Sequence, residues 1–247
     1  MNSFIINNVR IVTAYAVLEN VFLYVKRGII EAIGPNTPGK VHKSCTIIDG
    51  HGSWLFPGII DLYNNMLVNG SSFFTAENKL ASHGVTTVCH FVPETKAAVV
   101  NEFNSFKKLG TIRHHMYNAP YLNEDFIFIS ASGIVQEAAS QSNISISDII
   151  ENSGMHIICT DSESPKILDA VFVLNNLGLN MSDAVGMATI NPAFTFGIEK
   201  KLGSIECGKN ADLILVSCEN HVPKVEMVFV SGCKIYENRI FSNDNAI

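Results

Sequence analysis

No two cysteines of this chain stand as a CxxC pair, and no apolar run reaches the ~18 residues of a membrane span. The first absence removes the usual spacing of zinc ribbons and redox dithiols. The six thiols, Cys45, Cys89, Cys159, Cys207, Cys218 and Cys233, lie in apolar stretches and read as reduced and buried. Basic residues are few and scattered: 17 Lys and Arg face 23 Asp and Glu, for a net charge of -6. That balance gives no footprint for a nucleic-acid partner. The opening MNSFIINNVRIVT has no charged stretch ahead of its apolar residues, so it does not read as a signal peptide. The chain reads as cytosolic, with no membrane partner. Two sequons, at Asn69 and Asn143, carry little weight without secretion.

What is present is apolar: 47% of 247 residues, enough for a sizeable core in one or two domains. Both ends read as β. FIINNVRIVT, VFLYVKRGIIEAIG and CTIIDGHGSWLF are rich in Val and Ile, with Arg27-Gly28 as a hairpin turn. ADLILVSC and VEMVFVSGCKIYEN repeat the pattern, with a turn at Ser231-Gly232. Between them, strands alternate with helices. PGIIDLYNN, GVTTVCHFV, TIRHHMYNA, DFIFISASG and MHIICTD read as five strands. Helices are expected from Thr75 to about Ser82, from Glu94 to Leu109, from Ser147 to Gly154, and after Ser164-Pro165, where Leu168, Val171, Phe172 and Asn175 share a face. Two more begin at Ser182 and Pro192.

Alternation of this kind predicts an α/β fold with a parallel sheet. A full eight-stranded barrel takes about 250 residues by itself. The expectation is therefore a truncated, roughly five-stranded TIM-barrel-like sheet over residues 57–202. Residues 1–56 and 203–247 would form one small discontinuous β domain.

Three stretches resemble one family: GSWLFPGIIDLYNN, HHMYNAP and MATINPAFTFGIEKKLGSIECGKNADLILV. The last looks like the closing signature of the amidohydrolase superfamily. Within it, the His-x-Tyr-Asn-Ala run and the Gly-Ile-Glu-Lys-Lys-Leu-Gly linker most resemble the N-acetylglucosamine-6-phosphate deacetylases. ASHGVTTVCHFVPET resembles their second strand. The resemblance implies a divalent metal, zinc or similar, in an active member. The strand-1 His-x-His pair of the superfamily falls on Tyr63 and Asn65. The segments carrying the strand-3 Glu and strand-5 His ligands have no counterpart. The strand-7 substrate His falls near Val135.

What the resemblance leaves is His115 at a metal-ligand position, Asn118 at a substrate-contact position and Asp161 at the catalytic aspartate. Asp161 has two readings: a general base toward metal-bound water, or a cap on the turn to Pro165. His115 is a ligand or a hydrogen-bonded cleft residue, and His114 should point the other way by strand alternation. His90 ends the second strand and could join His115 and Asp161 in a rebuilt metal set; catalytic zinc needs about three protein ligands. Tyr63 and Asn65 could hydrogen-bond a sugar phosphate, or pack in a mouth that holds no metal. Asp61 reads as a structural acceptor, though with His115 and Asp161 it should border one cleft.

The expected protein is deacetylase-like with little or no activity, and then without a cofactor. The alternative is an active metal-dependent C–N hydrolase with a reduced or relocated site. Missing strands leave open sheet edges, so the expected partners are a small sugar phosphate and a second copy of the chain.

Overall fold

The computed structural model describes residues 3–35, 45–62, 73–91, 110–117, 126–140, 146–160 and 167–238. The first five strands are β1 (Phe4–Val12), β2 (Val17–Lys26), β3 (Ile29–Pro35), β4 (Thr46–Asp49) and β5 (Trp54–Pro57). The last three are β11 (Leu213–Glu219), β12 (Val222–Val230) and β13 (Cys233–Glu237). All eight share one mixed sheet, in the order β13-β12-β11-β5-β1-β2-β3, with β4 on β1. Strands from the two ends of the chain meet where β5 pairs antiparallel with β11, Leu55 opposite Leu215.

Two hairpin turns explain how the ends close on each other. Arg27-Gly28 has φ of 53° and 81°, and Ser231-Gly232 has 47° and 69°. Two left-handed residues in succession match the twist of a hairpin. The turns abut, and a Cβ on Gly28 would lie 2.5 Å from the Ser231 carbonyl oxygen. Glycine is needed there for both conformation and space.

Alternation along the central strands feeds two cores. Leu213 and Leu215 enter one with Phe4, Ile6, Leu23 and Leu55. Ile214 and Val216 enter the other with Phe56, against α1 (Phe73–Ser82) and α4 (Ile167–Asn176). On α4, Leu168, Val171 and Phe172 are buried as the spacing predicts. Asn175 differs: its amide donates to the Leu179 carbonyl at 2.9 Å, closing the helix end.

Five short strands occupy the middle, all parallel to their neighbours, and the fold is α/β. They are β6 (Ile59–Asp61), β7 (Val85–Phe91), β8 (Arg113–Tyr117), β9 (Ile127–Ser130) and β10 (His156–Cys159). Among the described residues the expected single sheet is not seen: β6-β7-β8 form one and β9-β10 another. Among the described residues these strands do not close a barrel. The chain between β8 and β9, residues 118–125, lies outside the described residues, as does the expected helix over 94–109.

Helices α2 (Ala131–Ser140), α3 (Ile146–Glu151), α5 (Met181–Gly186) and α6 (Ile190–Thr195) complete the set among the described residues. Two starts move from the sequence reading. Asn180, not Ser182, caps α5 by accepting the Asp183 N–H at 2.9 Å. α6 opens two residues before Pro192, whose ring then sits in the first turn where no N–H is needed. The thiols also need correction: only Cys89 and Cys159 are buried, while Cys207 and Cys233 are exposed. Apolar neighbours in sequence alternate across a strand, so they do not bury the residue between them.

Candidate functional site

Residues at or just after the carboxyl ends of β6, β7, β8 and β10 were the sequence candidates. Asp161, Asn118, Tyr63 and Asn65 lie outside the described residues. Asp61, His90 and His115 can be placed.

The strand register sorts them by face. Asp61 pairs with Val88, and Val88 with His114. Cys89 pairs with His115, and His90 with Met116. Laterally paired residues share a face and neighbours along a strand alternate. Val88, His90, His114 and Asp61 therefore stand on one face, which packs on α1. Cys89 and His115 stand on the other. The expected meeting of His90 with His115 does not occur on this pair of strands. The expected common cleft of Asp61 and His115 does not form either, for the same reason of alternation. His114 points away from His115, as the alternation predicts.

On the α1 face three buried ionisable groups stand in series. His90 Nε2 lies 2.9 Å from His114 Nδ1, and the two rings stack 7° from parallel. His114 Nε2 lies 3.0 Å from Glu77 Oε1. Glu77 also accepts the Thr111 N–H at 3.0 Å, the Ile112 N–H at 3.3 Å and the Thr111 hydroxyl at 3.3 Å. A carboxylate so surrounded only accepts, so His114 Nε2 carries the proton. In the neutral pair, His114 Nδ1 then accepts from His90 Nε2. None of the three is more than 5% exposed. Sequence reasoning missed Glu77 because its partners lie 34 to 37 residues away, with no local signal.

Burial works against the charge of Glu77, but His114 and the Thr111 and Ile112 amides outweigh it and lower its pKa. The sign follows from linkage: a depressed carboxyl pKa adds stability above the ordinary value of 4.5 and loses it as pH falls through the folded-state value. Unfolding free energy is therefore expected to drop with acid below that point, and less steeply in Glu77→Gln. Equal slopes for the two proteins in urea titrations from neutral pH downward would contradict this.

Asp61 is fully buried and accepts the Thr160 N–H at 3.1 Å, tying β6 to the end of β10. Burial, with the Asp61 charge, pushes the Cys89 thiol up, so Cys89 is a poor nucleophile. His115 is half-buried and lines a cleft of about 320 Å³ together with His114, Thr111, Arg113 and Val230. Arg113 reaches from β8 to Asp212 with a two-pronged contact, Nε to Oδ2 at 2.8 Å and Nη2 to Oδ1 at 3.0 Å. Burial disfavours the guanidinium charge, yet Asp212 outweighs it and raises the pKa.

A metal of the type the resemblance implies needs several converging ligands. Among the described residues no three His, Cys, Asp or Glu gather in that way. Those residues do not fit a metal centre, and no catalytic step is derived through one. No described helix is long and apolar enough to cross a membrane.

Residues 134–235 match the amidohydrolase family. A 95-residue stretch is 36% identical to adenine deaminase 3 of Rhizobium meliloti, covering 36% of this chain and 16% of that protein. Another, of 162 residues, is 25% identical to the alpha-D-ribose 1-methylphosphonate 5-triphosphate diphosphatase of Escherichia coli, covering 64% of this chain and 40% of that one. The chain thus spans less than half the length of either relative. The crystal structure of N-acetylglucosamine-6-phosphate deacetylase from Pasteurella multocida superposes with a TM-score of 0.70. That alignment covers 96% of this chain and 100% of the other at 16% identity, a likeness of fold alone. By the sequence match and the shared fold, the resemblance to the amidohydrolase superfamily is established, with a deacetylase among the similar folds.

Proposed function

We infer that this chain is a reduced amidohydrolase of the deacetylase type whose cleft at most binds a small sugar phosphate. Little or no hydrolysis is expected. One observation carries the reading: β7 pairs directly with β8, His115 beside Cys89. In the family pattern, three strands and two metal ligands belong between these two. Residues 92–112, which join them here, contain no histidine to replace the strand-5 ligand. The retained positions, His115, Asn118 and Asp161, then serve binding, with Tyr63 and Asn65 at the same mouth. Asp161 without a nearby cation faces water too weakly acidic to deprotonate usefully.

The domain division belongs to the same proposal: a truncated barrel over 57–202, beside a β domain from 1–56 and 203–247. So does the partner. β9 pairs only with β10 among the described strands, and its Ile127 and Phe128 are 55% and 36% exposed. Open apolar edges of this kind favour association, and a second copy is the proposed cover. A cytosolic setting belongs to the same proposal.

Metal content of the purified protein, measured beside hydrolysis of N-acetylglucosamine 6-phosphate, tests the reading. The expected result is substoichiometric metal and no turnover above buffer. Stoichiometric zinc released by both His90→Ala and His115→Ala, with turnover lost in Asp161→Asn, would replace it with an active, rebuilt hydrolase.

A further inference from the structure

Among the described residues β4 pairs only with β1, and β13 only with β12, so both are edge strands of the large sheet. A cleft of about 600 Å³ lies between them. Three successive residues of β4, Thr46, Ile47 and Ile48, line it. Successive side chains of a strand alternate between faces, so the cleft runs along the edge of β4 and not over one face. Its buried floor is Phe4, Met227 and Phe229, with the Phe4 and Phe229 rings stacked at 5.0 Å. Hydrogen bonds show which backbone groups look outward. Thr46 donates its N–H to the Ser3 carbonyl at 3.4 Å, and Gly50 donates to Asn7 at 2.9 Å. Alternate residues of a parallel strand turn to the same neighbour, so Ile47 turns its N–H and C=O away from β1. Asn238 donates to the Glu226 carbonyl at 2.8 Å, so Glu237, one residue earlier, turns its own groups away from β12. Among the described residues neither has a backbone partner on its outer side. Natural edges are blunted by lysine or proline. β13 has Lys234, held by Glu237 at 2.6 Å, but β4 reads Thr-Ile-Ile-Asp and leaves Ile47 53% exposed.

We propose that this cleft binds an extended peptide segment of another protein, with apolar side chains at alternate positions, as a strand added between β4 and β13. The dimensions select one strand. β13 has 5 residues, about 16 Å at ~3.3 Å per residue. Over that length 600 Å³ leaves a cross-section of about 40 Å², against about 48 Å² for a strand spaced ~4.8 Å from its neighbours and ~10 Å from the facing sheet. A single strand fits there, and the edge of a second folded sheet does not. A peptide is also the ligand class that carries donors and acceptors on both sides at once. One alternate set of its backbone groups reaches Ile47 on β4, and the other reaches Glu237 on β13. Its side chains alternate in the same way, so every second one lies on Phe4, Met227 and Phe229. Main-chain bonds give such a complex its affinity, and the apolar floor selects the side chains.

Disulfide capture on the full chain tests it. The exposed Cys233 opens β13 and lines the cleft, while the exposed Cys207 does not line it and serves as the control. The probe is acetyl-Cys-Val-Thr-Val-Thr-amide, equilibrated with the protein in excess 2-mercaptoethanol, with the mixed disulfide at each thiol measured by peptide mass mapping. The comparison probe is the same peptide N-methylated at both valines, which keeps the side chains and loses backbone donors. The ratio of capture at Cys233 to capture at Cys207 should be about tenfold higher for the first probe, the worth of roughly one net hydrogen bond. Ile47→Pro removes the outward N–H without touching the bonds to β1, and should cancel that advantage. If Ile47→Pro does not fold, the two probes on the native protein decide alone. Ratios within about twofold of each other for the two probes overturn the proposal, because capture then reflects thiol exposure or apolar contact only. So does a native dimer that Ile47→Pro turns into a monomer in sedimentation, which would make a second copy the occupant. The result is independent of whether the other cleft binds a sugar phosphate.

Discussion

Replacing Phe56 by alanine is expected to lower the unfolding free energy by about 3–5 kcal/mol. Phe56 is 1% exposed on β5, the strand that joins the two ends of the chain in the large sheet. Its ring lies 5.9 Å from Trp54 and 6.0 Å from Phe172 on α4. Deleting it removes apolar surface from the core shared by sheet and helices, and leaves a void that backbone hydrogen bonds on both sides hold open. Its paired neighbour on β11, Ile214, shares this core but is held in place by the strand pairing, while Leu213 and Leu215 face the other core and cannot move in. A urea titration with unchanged m would show the loss as a shifted midpoint. A loss under about 1 kcal/mol would mean that α4 collapses into the space, and that sheet and helices are less firmly coupled than the packing implies.

The second large effect is expected at Glu77. Glu77→Leu should destabilise the chain by about 3–5 kcal/mol, more than the apolar gain can offset. The carboxylate receives the Thr111 and Ile112 amides and the His114 ring. Leucine receives none of them. Each buried donor left without an acceptor costs about 1–3 kcal/mol, and His114 is fully enclosed. Hydrogen exchange should show the first damage at the Thr111 and Ile112 amides, before β1 or β12. Glu77→Gln keeps one acceptor oxygen and should lose roughly half as much. A leucine variant as stable as the native protein, with those amides still protected, would show that water already supports this network.

The sequence by itself determined a good deal. The Val- and Ile-rich segments at both ends became strands of one sheet, because β-branched residues with two-residue turns have few other ways to pack. Arg27-Gly28 and Ser231-Gly232 were legible as turns from residue type alone. The five central strands were legible too, as was the closing stretch that matches the amidohydrolase family. Absence was equally informative: no histidine follows Asp61 at the expected spacing, and none lies between β7 and β8.

Only the tertiary structure decided how those strands associate. It split the five into two sheets, a matter of hydrogen bonds between segments far apart in the chain. It also placed His90 and His115 on opposite faces, against the set in which the sequence reading joined them. That reading knew both were near strand ends, but not which residue of β7 sits beside which residue of β8. Face is fixed by register, and register in a strand of Arg-His-His-Met-Tyr is not written in apolar alternation. The contacts of this strand reach far along the chain: Arg113 meets Asp212, 99 residues away, and His114 meets Glu77, 37 residues away. Local propensity acts over a few residues; a buried carboxylate chooses its partners only after the chain has brought them within about 3 Å. The sequence therefore fixed the kinds of groups at this site, and long-range packing fixed which of them face one another.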